Sequence, residues 1–415
     1  MAKTTRKPNK KRVLMALSGG IDSAVSAWKL IQAGYEVEAV FMKNYSQTKG
    51  LKYDECPWLQ DRQDALRVAA FLGIPMHTVN FESQYEKKVL DYFFKEYKAG
   101  RTPNPDVMCN KEIKFKLLYN WAIKNGFDYI ATGHYAQVLK SDTQAKKVPV
   151  DNFSKNSKTV GKWSPAKMAS DVNIGLSGSG DSSMYQLARS KDEFKDQTYF
   201  IYNITYPQLP HILFPIGSMK KSEVRSLAKK IGLPNAEKRE SMGLCFVGKI
   251  RLKEFLEQKL KPKPGAIVDA KSGKKIGEHQ GLSYYTIGQR QGVRVGEGGP
   301  WYVAGKNLKT NTLTVTNNPH DKLLETKEIE IHSVNWLGPN VAEKLAPPGK
   351  SLLRKKEVKL KGRFRHQGAL ENITVSPVAR GVYKVKFNKP QLAIASGQSL
   401  VMYDGNVCVG GGVIV

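Results

Sequence analysis

Residues 13–17 (VLMAL) form a continuous apolar run, the pattern of a strand buried on both faces of a parallel sheet. Apolar residues then recur at helical spacing as Ala24, Ala27, Trp28 and Ile31, and Gly34 supplies a stop. The pattern predicts a second strand at 37–42, a helix at 61–72 and a third strand at 75–81. A helix follows at 115–124, then a strand at 128–132 that ends in Gly133-His134. Strands and helices alternating at near-uniform spacing predict an open, doubly wound α/β sheet.

Residues 141–180 break the pattern. They are rich in Ser, Lys, Asn, Asp and Gly, and read as a flexible insertion. A helix returns at 218–232, with Val224, Leu227, Ala228 and Ile231 on one face and Gly232 as the stop. From Trp301 onward, short alternating segments (TLTVT, YKVKF, SLVMY) are separated by Gly, Asn and Pro turns, which predicts an all-β tail the size of a small barrel. No internal repeat is evident.

Composition narrows the class. The chain has 415 residues, enough for two to three domains, with 40% hydrophobic and 25% charged residues, so a largely disordered chain is excluded. No window approaches 18 consecutive apolar residues, which excludes a transmembrane helix. The four cysteines, Cys56, Cys109, Cys245 and Cys408, are widely spaced and make no CxxC pair, so neither a zinc site nor a disulfide scaffold is expected, and a reducing compartment fits. Net charge is +29, which points to a polyanionic partner, with nucleic acid the leading candidate. Two clusters stand out: the N-terminal MAKTTRKPNKKR and RKKEVKLKGRFR at 354–365, where alternation suggests a strand with one charged face.

The chemistry begins at Ala16-Leu17-Ser18-Gly19-Gly20-Ile21-Asp22-Ser23, where a buried strand meets a helix. The glycines allow a tight turn that brings backbone N–H groups close to an anion, and the helix start adds partial positive charge. Ser18 and Ser23 can donate hydroxyls to phosphate, whereas Asp22 is expected to hold Mg²⁺ or cap the helix. The Walker A pattern is absent. The SGGIDS string resembles the pyrophosphate loop of N-type ATP pyrophosphatases (PP-loop enzymes), which implies ATP as cofactor and cleavage between its α and β phosphates.

Two longer segments, AGRTPNPDVMCNKEIKF (99–115) and ESMGLCFVGK (240–249), decide among those enzymes. Together with FMKN (41–44), ATGHY (131–135), KDQTYF (195–200) and GEHQGLSYYTIGQRQG (277–292), they resemble the tRNA-specific 2-thiouridylases of bacteria and mitochondria, in the same order over nearly the whole chain. The resemblance implies a PP-loop catalytic domain at 1–213, a small central domain at 214–298 and a tRNA-binding β-barrel at 299–415. It implies ATP-dependent 2-thiolation of the wobble uridine of tRNA: uracil O2 is adenylated with Mg²⁺-ATP and then replaced by sulfur from a cysteine persulfide. A persulfide-carrying donor protein, no membrane association and a monomeric state go with it.

The residue chemistry agrees. Oxygen must become a leaving group, sulfur must arrive as a strong nucleophile, and a second thiol then releases it and leaves a disulfide. Cys109 is followed by Asn110 and Lys111, with Lys114 one turn on, and these cations with a following helix N-terminus would lower the thiol pKa. Cys245 lies between Gly243 and Gly248, as a mobile loop requires. By resemblance Cys245 carries the persulfide and Cys109 is its partner, whereas Cys56 and Cys408 read as inert buried thiols. By resemblance too, Met42 packs against adenine, Gly133 admits the nucleotide, and Asn104, Pro105 and Asp106 meet the target base. His134, Lys195, Asp196, Gln197, Arg363, Phe364 and Gln398 are then expected to contact tRNA. The acid-free N-terminus and the SMGLCFVGK wording point to mitochondria, with a bacterial-type cytoplasm as the alternative. The rival readings are an amidating or ligating enzyme acting on a small metabolite and an RNA-binding protein with a vestigial loop.

Overall fold

The computed structural model describes residues 10–46, 57–141, 184–239, 252–257, 259–293, 295, 299–338 and 357–415. The basic N-terminal cluster up to residue 9, Cys56, Cys245 and almost all of the expected insertion at 141–180 lie outside the described residues.

The strands β1 (Arg12–Ala16), β2 (Glu36–Lys43), β3 (Met76–Asn80) and β4 (Tyr129–Ala131) pair in parallel. An antiparallel hairpin of β5 (Ala136–Ser141) and β6 (Met184–Arg189) follows, and β7 (Ile212–Leu213) completes the parallel sheet in the order β3-β2-β1-β4-β7. Both faces of β1 are covered. Val13, Met15 and Leu17 join one core with Ala24, Leu30, Ala65 and Val224, while Leu14 and Ala16 join the other with Phe93, Ile113 and Phe115. Each of the larger side chains among these (Val, Leu, Ile, Met, Phe) stabilises the fold by about 1.5–3 kcal/mol, which is why an apolar run could signal this strand without alternating. The doubly wound sheet expected from the sequence is therefore present.

The helices show where local pattern was insufficient. Residues 82–98 are helical throughout, with Tyr85, Val89, Phe93 and Tyr97 buried at a spacing of four, although no helix was expected there. The helix expected at 115–124 begins ten residues earlier, as Pro105–Cys109 continuing through a π-helical stretch, Asn110–Leu118. Asn104 Oδ1 caps it by accepting from the N–H groups of Asp106 (3.1 Å) and Val107 (3.2 Å), and Pro105 sits at the first position.

The central unit is a four-stranded sheet of β8 (Gly265–Asp269), β9 (Lys275–His279), β10 (Tyr302–Asn307) and β11 (Thr312–Thr316), ordered β10-β11-β8-β9. The boundary expected at 298/299 falls between its two hairpins, which a parallel β11–β8 pairing joins. The C-terminal barrel contains β12 (Glu325–Trp336), β13 (Val358–Arg363), β14 (Glu371–Ala379), β15 (Val382–Leu392), β16 (Ser399–Asp404) and β17 (Val407–Ile414). Pairing of β12 with β17 closes it. Val375, Val385, Phe387, Leu400 and Met402 fill it, all fully buried. The β5–β6 hairpin extends this barrel through Val407↔Ala188 and Cys408↔Leu187. Cys408 is wholly buried and burial pushes its thiol pKa up, as an inert position requires. Among the described residues, no helix is long and apolar enough to cross a membrane.

Candidate nucleotide and thiol site

The chain turns at Ser18–Gly20, where the sheet order reverses between β1 and β4, the position at which open α/β sheets bind ligands. Gly19 adopts φ +75°, and a Cβ there would lie 2.3 Å from the Asp61 carbonyl oxygen. The loop holds itself together: Ser18 N–H donates to Ser23 Oγ (3.2 Å), Gly20 N–H to Ser18 Oγ (3.4 Å) and Ser23 Oγ to the Gly20 carbonyl (3.0 Å). Ser18 is exposed, and the helix Ile21–Gln32 starts at once, so N–H groups and a hydroxyl converge on one spot suited to an anion. Asp22 is not the cap; Gly20 holds that position without a side-chain bond, and Asp22 lies in the first turn.

Gly133, at the end of β4, faces this loop. A Cβ there would stand 2.7 Å from the Ser23 backbone nitrogen and 2.9 Å from the Asp22 carbonyl carbon. The close approach this glycine permits in the structure is thus to the loop backbone. The next residues brace the same loop. Tyr135 OH donates to Asp22 Oδ1 (2.9 Å), and Gln197 holds Tyr135 by accepting its N–H and donating to its carbonyl, both 2.9 Å.

Three groups that no sequence signal marked, Lys221, Asn235 and Lys238, complete the surroundings together with Tyr135 of the ATGHY segment. Lys221 Nζ, whose side chain is 12% exposed, lies 2.8 Å from each Asp22 oxygen. Asn235 donates to the Gly19 carbonyl (2.9 Å), and Lys238 binds Asp61 (2.8 Å) and Asp64 (2.6 Å) on the helix that supports Gly19. For a divalent cation the donor set is thin. Among the described residues no cluster of three His, Cys, Asp or Glu side chains could hold a metal, and Asp22 is the loop's one carboxylate. A magnesium ion there would need nucleotide phosphates and water as its remaining ligands.

Cys109 is fully buried, five residues into the helix that starts at Pro105. It therefore sits one turn inside a helix start, instead of preceding one as expected. Asn110 donates to the Phe200 carbonyl (3.2 Å), and its buried Oδ1 has no hydrogen-bond partner. His134 is 8% exposed, shares a 2.7 Å hydrogen bond with Thr132 Oγ1 and packs against Phe115 and Phe214. Burial, with the Lys114 charge, holds its pKa well below the ordinary value, so it is neutral. Met42 is 5% exposed within the core shared with Leu14 and Phe93.

The turn before Cys109 is gripped by both of the other units. Lys306 Nζ donates to the Gly100 carbonyl (2.8 Å), Thr102 N–H to the Ser396 carbonyl (2.8 Å) and Gln398 Nε2 to the Thr102 carbonyl (2.7 Å). Thr102 and Thr286 hydroxyls meet at 3.2 Å. Gln398 is thus drawn to the segment 100–104, and Asn104, Pro105 and Asp106 form the helix start beside it.

Asp196 and Arg363 find each other. Arg363 Nη1 donates to Asp196 Oδ2 (3.1 Å) at side-chain exposures of 5% and 0%, and Ser190 N–H and Thr198 Oγ1 also donate to Asp196. This buried pair joins the barrel to the unit that carries the parallel sheet. Alternation on β13 holds for the exposed Lys359 and Lys361 and ends at Arg363, which turns inward. Phe364 packs on Phe387 at 5.9 Å, and Lys195 is half-buried. Cys245 lies outside the described residues, and the described chain on either side of that segment is anchored. Asn235 and Lys238 hold the loop side, and Phe255 packs on Phe93, Phe94 and Tyr45.

Comparison with known proteins follows the same three units. Residues 11–161 and 165–249 match the tRNA methyl transferase HUP domain, 253–317 the tRNA methyl transferase PRC-barrel domain and 326–414 the aminomethyltransferase beta-barrel domain. The tRNA-specific 2-thiouridylase MnmA of Halalkalibacterium halodurans is 40% identical over 99% of this chain and 96% of its own length. That of Alcanivorax borkumensis is 40% identical over 99% of both. The similar relatives are bacterial, which overturns the expectation of a mitochondrial address.

Proposed function

The chain belongs to the tRNA-specific 2-thiouridylase family, and from that premise we propose that it thiolates the wobble uridine of tRNA at the expense of ATP. The observation that carries this reading is the Ser18–Ser23 loop at the sheet's switch point, faced by Lys221 at 12% side-chain exposure, with Cys109 buried in the core that Leu14 and Ala16 of the preceding strand also line. In the proposed reaction, ATP phosphates lie against the loop N–H groups and the Ser18 hydroxyl, and Lys221 exchanges its partner Asp22 for phosphate charge. Magnesium bound by Asp22 and the phosphates would supply further charge neutralisation. Uracil O2 attacks the α-phosphorus and pyrophosphate leaves. The terminal sulfur of a Cys245 persulfide attacks C2, and AMP departs with the former O2. The Cys109 thiolate then attacks Cys245 Sγ, releasing the thiocarbonyl and leaving a Cys109–Cys245 disulfide for a reductant. A separate persulfide-carrying protein reloads Cys245, and the enzyme acts as a monomer.

The division of labour proposed is a catalytic unit ending near 213, a central domain and a barrel that holds RNA. The matched model descriptions suggest methyl transfer as a second reading, which consumes no ATP. One experiment separates them: tRNA-dependent AMP and pyrophosphate release with a persulfide donor, followed by nucleoside analysis, in wild type, Cys109→Ala and Cys245→Ala. Thiolation predicts 2-thiouridine in wild type and none in either variant. Wild-type 2-thiouridine formation by either variant would sink the two-thiol scheme.

A further inference from the structure

In the stretch that resemblance assigns to tRNA, two of the three polar side chains point inward. Asp196 accepts from Arg363, Thr198 and Ser190, and Gln197 accepts from Tyr135. Immediately before that stretch stands Phe194, which at 85% exposure is the most exposed large hydrophobic among the described residues. Its turn is held on both sides. Asp192 Oδ1 accepts from the Lys195 N–H (3.2 Å), Asp192 Oδ2 from the Lys221 N–H (2.8 Å), Ser190 Oγ donates to the Asp192 carbonyl (2.7 Å) and Lys191 N–H to the Gly217 carbonyl (2.9 Å). The same Lys221 sends Nζ to Asp22, so the turn is bonded directly to an element of the nucleotide site.

A phenyl ring fixed in solvent gains nothing for folding. Lys191, half-exposed and paired to Glu223, and Lys195 flank it on a chain of net charge +29. Ring face and cations together match the chemistry of single-stranded RNA, whose bases stack on aromatic faces while phosphates meet lysines. A phosphate-only contact would not need the ring, and a small-molecule substrate would not reach for a side chain outside the cleft. We propose that Phe194 is a stacking platform for an unpaired base of the tRNA at the rim of the nucleotide site. This rests on the thiolation reading above.

The test is equilibrium binding of an unmodified tRNA substrate to the full chain, with ATP affinity and melting temperature measured alongside. Phe194→Ala should weaken tRNA binding about 5- to 150-fold, the range for one lost base stack, and leave ATP affinity and melting unchanged. Phe194→Trp should restore binding, whereas Phe194→Leu, apolar but without a ring face, should behave like alanine. Wild-type affinity in Phe194→Ala overturns the stack alone, and full retention by Phe194→Leu shows an apolar contact and overturns it too. A wild-type chain that fails to bind tRNA overturns the thiolation reading and the stack with it.

Discussion

Lys221 Nζ lies 2.8 Å from both Oδ1 and Oδ2 of Asp22, although 199 residues separate the two in sequence. A lysine this buried, aimed at a helix start that already favours anions, adds positive charge where the proposed reaction would place the ATP phosphates. Removing one such preorganised group typically lowers kcat by about 10²–10³. Lys221→Ala should therefore reduce AMP formation on that scale, with Lys221→Arg keeping part of it. Pyrophosphate release at the wild-type rate in Lys221→Ala would remove this residue from the site.

Gly133 and Gly20 make a controlled pair. Alanine at 133 would press its Cβ against backbone at 2.7 Å, where nothing flexible can yield, whereas at Gly20 the nearest atom is the Ser18 hydroxyl at 3.3 Å. Overpacking of this kind costs about 1–3 kcal/mol. Gly133→Ala should lower the melting temperature and weaken ATP binding, while Gly20→Ala leaves the melting temperature near wild type. Calorimetry with and without ATP decides it.

Asp196 and Arg363 form an ion pair sealed between the barrel and the catalytic unit. Deleting Asp196 leaves Arg363, and Arg189 3.7 Å from the same carboxylate, as uncompensated buried charge, at a cost of about 3–5 kcal/mol. Asp196→Ala should drop the melting temperature by several degrees, and the double variant Asp196→Ala/Arg363→Leu should recover part of the loss. Additive effects in that double-mutant cycle would show that the pair is not coupled.

His134 gives a pH signature. Its pKa in the folded chain lies well below the ordinary 6.5, through burial first and Lys114 second. As pH falls below 6.5 the unfolded chain takes up a proton that the folded chain refuses, so stability present above 6.5 is lost progressively toward acid. His134→Asn should flatten the dependence of melting temperature on pH between about 6.5 and 5, the window set by the ordinary imidazole value. An unchanged slope would mean that other groups govern it.

The charge excess is testable by salt titration. If several lysines and arginines meet tRNA phosphates, the logarithm of the association constant should fall by about 0.7–0.9 per contact for each tenfold rise in salt. A flat response would leave the net charge of +29 without its proposed object.

Sequence alone determined the parallel sheet, because strands buried on both faces must be apolar throughout, as 13–17 is. It also gave the SGGIDS turn and the two cysteine segments, since those signals are contiguous along the chain. Asn104, singled out only by resemblance, caps a helix, which extends that helix back to include Cys109. What only the tertiary structure decided is who meets whom. Nothing local tells that Lys221 reaches Asp22, that β11 pairs with β8, or that Gly133 yields space to Ser23. Burial reassigned others. Asp196, Arg363 and His134 look on paper like polar residues available to RNA, yet each is enclosed. Charge and hydrogen-bonding capacity belong to a residue type, but whether they face water, a ligand or another side chain depends on contacts made across hundreds of residues of chain.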